Sequence, residues 1–266
     1  MPGVAIDTVL VDVHNATTNA VTLTNGTVTN SGDSLSIRSF DTGQWAKLES
    51  IFFQGSSTEQ LRVLSPRMHD NVTGLTFETA ENPTEFLFPA QVGEPMYSSD
   101  TLTVQMSAAA SSDSVAALLM YYSGLDGVNA NLATWAQVAA SMIHLKTVEV
   151  AVTSSATIGT WTDTVITTTE NQLKADYTYA LLGFETTAAF CAMGLKGPAT
   201  GNLRVCAPGA TSTLDITSYF IEMGNKQNVP HIPVFKANDR AATNVSVCAN
   251  TASVSGHVYM YLAQLG

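Results

Sequence analysis

Gln54-Gly55-Ser56-Ser57-Thr58-Glu59-Gln60-Leu61-Arg62-Val63-Leu64-Ser65-Pro66 lies 142 residues ahead of Lys196-Gly197-Pro198-Ala199-Thr200-Gly201-Asn202-Leu203-Arg204-Val205-Cys206-Ala207-Pro208, and six of the thirteen positions are identical without a gap. A repeat at that spacing in a chain of 266 residues divides it into two similar units, and this decides the reading of the fold. Three further matches follow the same order. Thr8-Val9-x-Val11-x-Val13 recurs as Thr147-Val148-x-Val150-x-Val152, Pro83 to Phe88 as Pro230 to Phe235, and Leu118-Leu119-Met120-Tyr121 through Leu125 as Val258-Tyr259-Met260-Tyr261 through Leu265. Their offsets of 139, 147 and 140 differ only by changes that fall in Gly-, Ser- and Asn-rich stretches, which tolerate insertion.

Each unit reads as all-β. Branched or aromatic residues alternate at a period of two in Val9/Val11/Val13, Val21/Leu23, Leu35/Ile37, Leu102/Val104/Met106, Val148/Val150/Val152 and Val245/Val247, the period that places side chains on one face of a strand. Asn25-Gly26, Ser31-Gly32-Asp33, Asn71 to Gly74, Gly93 to Pro95, Gly197-Pro198 and Pro208-Gly209 punctuate these runs as turns, leaving room for about eight short strands per unit. One stretch has another period. From Asn131 to Ile143, Leu132, Trp135, Val138, Ala139, Met142 and Ile143 share one face at helical spacing, with Asn131 as N-cap. The expected organisation is a first unit over 1–128, a helical linker over 129–145 that docks its apolar stripe, Trp135 included, and a second unit over 146–266.

Composition narrows the function. Hydrophobic residues make up 45% of the chain, enough for packed cores, but charged residues only 12%, about half the roughly 25% of an ordinary soluble domain. Thr, Ser and Asn take their place, as expected of a surface hidden in an assembly. The net charge of -11 and the scattered basic residues argue against a protein that grips nucleic acid through its phosphates. Residues 1–145 hold 4 basic and 14 acidic side chains and residues 146–266 hold 7 and 8, so the units are expected to face different surroundings. Cys191, Cys206 and Cys248 are an odd set without CxxC spacing, read as free, buried thiols that suit folding in a reducing cytoplasm. Met1 to Val13 has no Lys or Arg and lacks the positive n-region of a signal peptide. The longest apolar run, Val115 to Tyr122, is far short of a membrane-spanning helix.

Residues that carry chemistry form no motif. His14, His69, His144, His231 and His257 are dispersed, with no HxH or HExxH spacing, so the paired histidines of a metal-dependent tandem barrel are missing and no metal ligand is assigned. There is no GxSxG and no phosphate-binding glycine loop, so no catalytic or cofactor-binding residue is assigned and the expectation is a protein that is not an enzyme. Carboxylates concentrate between Glu78 and Asp100, with Glu81, Glu85 and Glu94 among them. They read as a solvated acidic loop, with a structural calcium as the alternative. The N-x-Ser/Thr triplets at Asn15, Asn25, Asn71 and Asn244 carry no weight in a chain so rich in these residues. Phe52-Phe53, Phe86/Phe88, Tyr121-Tyr122 and Tyr259/Tyr261 are expected in the core.

The paired segments Leu61-Arg62-Val63 to Pro66 and Leu203-Arg204-Val205 to Pro208, the closing strands Ala117 to Tyr122 and Val258 to Leu262, and Tyr177 to Phe184 together resemble the double jelly-roll major capsid proteins of the adenovirus and tectivirus lineage. The resemblance implies two tandem eight-stranded jelly-roll barrels joined by a short helix, and a homotrimer that forms a pseudo-hexagonal tile of an icosahedral virion. Neighbouring trimers, penton or minor capsid proteins and an internal viral membrane would be its partners. It implies a bacteriophage structural protein folded in the host cytoplasm, with no cofactor and no direct contact with nucleic acid. The alternative reading is a tandem β-sandwich binding module, an adhesin or carbohydrate-binding protein.

Overall fold

The computed structural model describes residues 4–14, 24–25, 27–28, 45–55, 59–65, 74–79, 84–87, 102–106, 113–123, 128–166, 173–209 and 216–266. In the N-terminal half the strands are β1 (Val4–His14), β2 (Thr24–Asn25), β3 (Thr27–Val28), β4 (Trp45–Gln54), β5 (Glu59–Leu64), β6 (Leu75–Thr79), β7 (Thr84–Leu87), β8 (Thr103–Met106) and β9 (Asp113–Ser123). In the C-terminal half they are β10 (Leu132–Ala133), β11 (Met142–Thr153), β12 (Thr162–Val165), β13 (Thr178–Thr186), β14 (Ala192–Lys196), β15 (Arg204–Pro208), β16 (Ile232–Lys236), β17 (Asn244–Cys248) and β18 (Ser255–Leu265). Helix α1 (Trp135–Ser141) precedes β11, and α2 (Tyr219–Gln227) follows a 3-10 turn at Ile216–Ser218. The chain is thus mostly β, in antiparallel sheets.

Four sheets form, and among the described residues none mixes strands from before and after residue 128. The N-terminal pair has the orders β3-β1-β9-β4-β7 and β2-β8-β5-β6, and the C-terminal pair β10-β16-β13-β18-β11 and β12-β17-β14-β15. Read from the opposite end, the five-stranded C-terminal sheet is β11-β18-β13-β16-β10. Each of β11, β18, β13 and β16 therefore stands where β1, β9, β4 and β7 stand, and the four-stranded sheets correspond position by position. Both central strands β4 and β13 carry a bulge against their long partner, between Leu48 and Ser50 and between Leu181 and Gly183.

This topology corrects the repeat that opened the sequence reading. Leu61-Arg62-Val63 lies on β5, an inner strand, whereas Arg204-Val205 lies on β15, an edge strand whose counterpart is β6. The strongest sequence match therefore joins strands that are not equivalent. The three weaker matches do fall on equivalent strands: β1 with β11, β7 with β16, and β9 with β18. The alternations at Val21/Leu23 and Leu35/Ile37 lie outside the described residues.

Among the described residues, strands β1, β9 and β4 are buried on both faces. One face, with Ala5, Val9, Val11, Leu48, Ile51, Phe53, Leu118 and Met120, packs against β5 and β8 within its own pair. The other face, with Ile6, Leu10, Phe52, Val115, Ala117, Leu119 and Tyr121, joins the core of the C-terminal pair. That explains the unbroken run Val115 to Tyr122: a strand covered on both sides has no solvent face on which to place polar residues. By contrast, β11 alternates strictly from Val148 onward, with Val148, Val150 and Val152 buried and Glu149, Ala151 and Thr153 exposed.

The expected helix over Asn131 to Ile143 is shorter and differently built. Asn131 is not its cap: its backbone and side chain bond to Ala199 and Val234, and Leu132–Ala133 pair with β16. Thr134 is the cap, in a reciprocal box with Gln137 (Gln137 N to Thr134 Oγ1 3.4 Å, Thr134 N to Gln137 Oε1 2.9 Å). The helix stops at Ser141, because from Met142 the chain enters the ladder with β18. Within α1 only Val138 is buried, Trp135 packs half-buried against the core, and Met142 and Ile143 are exposed, so most of the expected stripe does not dock. The sequence reading has no counterpart of α2, which buries Tyr219, Phe220, Met223 and Gln227 and ends on a left-handed Asn228.

Candidate functional site

Three polar clusters join the N-terminal sheets to the C-terminal ones. In the first, the bulge of β4 turns Glu49 outward to meet His231, which the segment entering β16 carries. Oε2 and Nε2 are 2.5 Å apart and each side chain is 1% exposed. The ring of Tyr121 stacks on the imidazole at 5.9 Å and 16°. Burial first, and the charge of Glu49 second, push the Tyr121 phenol up to about 12. Lys47, from the same strand as Glu49, donates to Gln227 Oε1 of α2 at 3.0 Å. Burial pulls its ammonium below the usual value while Glu49 pulls the other way. His231 Nδ1 is buried and has no hydrogen-bond partner among the described residues.

In the second cluster, Glu85 Oε1 accepts from Ser50 Oγ at 2.9 Å and from Tyr219 Oη at 2.8 Å. Burial, with the nearby carboxylate of Glu85, holds the Tyr219 phenol well above its usual value. Glu85, one of the acidic residues considered for calcium, is thus engaged by two hydroxyls. Glu81 and Glu94 lie outside the described residues. In the third cluster, β1 runs beside β15, an edge strand whose outer backbone groups need partners. The backbone N–H of Arg204 donates to Asp7 Oδ1 at 3.1 Å, and Thr8 Oγ1 donates to the Arg204 carbonyl at 2.9 Å. Side chains of β1 thereby stand in for a missing ladder strand. Two further links flank them: Asn250 N to Gln54 Oε1 at 3.0 Å and Cys191 Sγ to the Phe52 carbonyl at 3.4 Å.

The opposite side of the C-terminal half presents a different surface. The outward face of β11, β18 and β13 carries Glu149, His257, Tyr259, Tyr261 and Glu185. His257 Nδ1 and Glu149 Oε1 are 2.6 Å apart, Tyr259 Oη donates to Glu149 Oε1 at 3.4 Å, and Tyr261 Oη donates to Glu185 Oε2 at 2.5 Å. Tyr259 and Tyr261 are therefore not core residues, as expected of aromatics in a strand-like segment, but half-buried members of this face. At its end a cleft lies between β11 and β12, lined by hydroxyls of Thr153, Thr162, Thr164, Thr187 and Ser255 together with His257. On β12, Asp163 gathers Lys196 and Arg204, each at 2.9 Å, and Ser246 Oγ at 2.6 Å, with Arg204 5.3 Å over the Trp161 ring.

Of the five histidines, His231 and His257 each meet a carboxylate, His144 is exposed on β11, His14 ends β1 opposite Asp113 in the ladder with β9, and His69 lies outside the described residues. Among the described residues no three His, Cys, Asp or Glu side chains are placed to hold a metal ion. Cys191, Cys206 and Cys248 are free and buried, and burial pushes the thiols of Cys206 and Cys248 well up. Phe52, Phe53, Tyr121 and Tyr122 lie in the core as expected. No helix among the described residues is long and apolar enough to cross a membrane. The pairs Glu49–His231 and Tyr219–Glu85 went unseen in the sequence because their partners are 182 and 134 residues apart and follow no motif.

These features define a mostly β chain of paired antiparallel sheets with a polar, hydrogen-bonded seam. No family model matches it, and no curated protein matches it. Among solved structures it is similar to the PBSX exported protein XepA, at 9% identity over 94% of this chain and 90% of that chain, with a TM-score of 0.20, a likeness too slight to carry an argument.

Proposed function

We propose that the chain is a double jelly-roll major capsid protein, a structural virion protein whose homotrimers tile an icosahedral shell. The observation that supports this reading is the shared strand order of the two halves. If the long first and last strands of each half are B and I, the five-stranded sheets contain B-I-D-G and the four-stranded sheets read C-H-E-F, the order of a jelly roll, in both halves. Two equivalent lobes per chain give six in a trimer, which suits a hexagonal neighbourhood, and a chain with 12% charged residues loses little on burying its sides against neighbours. Neighbouring trimers and penton or minor capsid proteins would then be its partners and the virion its location, with no catalytic step.

The test is the solution mass of the purified protein by light scattering, with negative-stain images of the same fraction. Three chain masses of 28.1 kDa each and hexagonal outlines are expected. A monomer at every concentration that binds glycans on an array would overturn the capsid reading in favour of a tandem binding module.

A further inference from the structure

The two halves differ at the edge of equivalent strands. In the N-terminal half β3 pairs with β1 at Val11 and Asp12, so a strand of the chain itself closes that edge. At the offset of 139 these residues correspond to Val150 and Ala151 of β11. There β11 is an edge strand, as is β12 of the other C-terminal sheet, and among the described residues no strand pairs with the outer edge of either. Between them lies the hydroxyl-lined cleft, with a volume of about 660 Å³, the size of an ordinary small-molecule site.

The lining selects among ligand classes. Among the described residues that form it, His257 is the sole titratable one, and Glu149 already engages that imidazole, so neither an anion nor a cation meets an uncompensated charge. Its apolar part is limited to Ala151, Val152 and Gly256, too little for a lipid tail or an aromatic ring. The rest is hydroxyl, on Thr153, Thr162, Thr164, Thr187 and Ser255, and each hydroxyl both donates and accepts. Several of these groups are aimed in advance. Thr187 Oγ1 accepts from the His257 backbone N–H at 2.9 Å, which leaves its own hydrogen to donate, and the Thr153 and Ser255 hydroxyls lie 3.0 Å apart. Gly256 permits the close approach of Thr187, since a Cβ there would lie 3.2 Å from Thr187 Oγ1 and 2.6 Å from Ala188 Cβ. Glu149 Oε1 takes His257 Nδ1 at 2.6 Å, so Nε2 is the ring nitrogen left to meet a ligand.

We propose that this cleft binds a neutral polyhydroxylated ligand, one or two sugar units of a glycan, through these hydroxyls and Nε2 of His257. Sugar hydroxyls donate and accept at once, and a lining of the same chemistry meets both needs without a charge. Threonine side chains are stiff at χ1, and the held imidazole has few rotamers to lose, so binding costs little ordering. Monomer and trimer carry the cleft alike, so the proposal is independent of the capsid reading.

Full-length protein titrated onto an array of neutral, sialylated and sulfated glycans tests it. Thr162→Val/Thr164→Val removes two hydroxyls while keeping side-chain shape, Ala151→Trp fills the cleft, and Thr178→Val at the far end of β13 is the control. Wild type and control are expected to bind neutral glycans, and each cleft variant to bind them at least roughly tenfold more weakly, with unchanged far-UV circular dichroism and solution mass. A wild type that binds no neutral glycan, or only sialylated or sulfated ones, overturns the proposal. Neutral-glycan binding that either folded cleft variant retains at full strength overturns it too. The solution mass of the same sample decides the capsid reading separately.

Discussion

Glu49 and His231 close the seam between the two halves from inside, a carboxylate oxygen 2.5 Å from an imidazole nitrogen with 1% of either side chain in contact with solvent. A pair so buried costs much desolvation and is worth little net, yet removing one partner strands the other.

His231→Leu is therefore expected to destabilise the protein by about 3–5 kcal/mol in denaturant unfolding, and Glu49→Leu/His231→Leu to recover most of that loss. Single and double changes whose effects simply add would show that the two groups are not coupled.

Asp163 gives the acid limb. Burial pushes its carboxyl up, but Ser246, Lys196 and Arg204 outweigh this and hold it below its usual value of 3.8. A group depressed in the folded state stabilises fully above its unfolded value and loses that contribution as pH falls through the folded one. Stability is expected to decline from roughly pH 5 downward, and Asp163→Asn to flatten that decline. An identical acid limb in both proteins would remove Asp163 from the account.

Tyr121 gives the alkaline limb. Its phenol is raised from 10.0 to about 12, so its contribution is complete below the unfolded value and lost as pH rises toward the folded one. Ultraviolet difference titration should show one tyrosine fewer ionising near pH 12 in Tyr121→Phe, and the variant's stability should fall less steeply above pH 10. A wild-type titration complete near the ordinary value would contradict the buried placement.

Gly183 sits in the bulge of β13, where an added Cβ would lie 2.0 Å from the Ile216 carbonyl and 2.5 Å from the Thr217 carbonyl carbon. Both obstacles are backbone, so relief requires moving the turn that leads into α2. Gly183→Ala is expected to cost about 1–3 kcal/mol or more, measured as a lowered unfolding midpoint. An unchanged midpoint would mean that the turn shifts freely.

Sequence patterning revealed elements whose two faces differ and concealed those whose faces are alike. Val148/Val150/Val152 announced β11 because one face meets water. Helix α1 was half legible: its period was real, but the ladder with β18 claims Met142 and Ile143 for a strand, a contact no local pattern contains. Helix α2 was hidden because its apolar positions, Tyr219, Phe220 and Met223, sit in a β-rich context. The Leu-Arg-Val match misled because short edge and inner strands draw on the same few residue types. As for the site, Tyr259 and Tyr261 were expected in the core because aromatic residues in strands commonly pack there, whereas β18 leaves both partly exposed.

The doubly covered sheet also bears on synthesis. An N-terminal half emerging from the ribosome would present Ile6, Leu10, Phe52 and Leu119 as bare apolar surface until the residues that carry α2 and β15 follow. At about 5–20 residues per second that wait is on the order of ten seconds, a window in which neighbouring nascent chains compete for the same surface. Yield should therefore depend on translation rate and holding chaperones more than the stability of the finished protein would indicate.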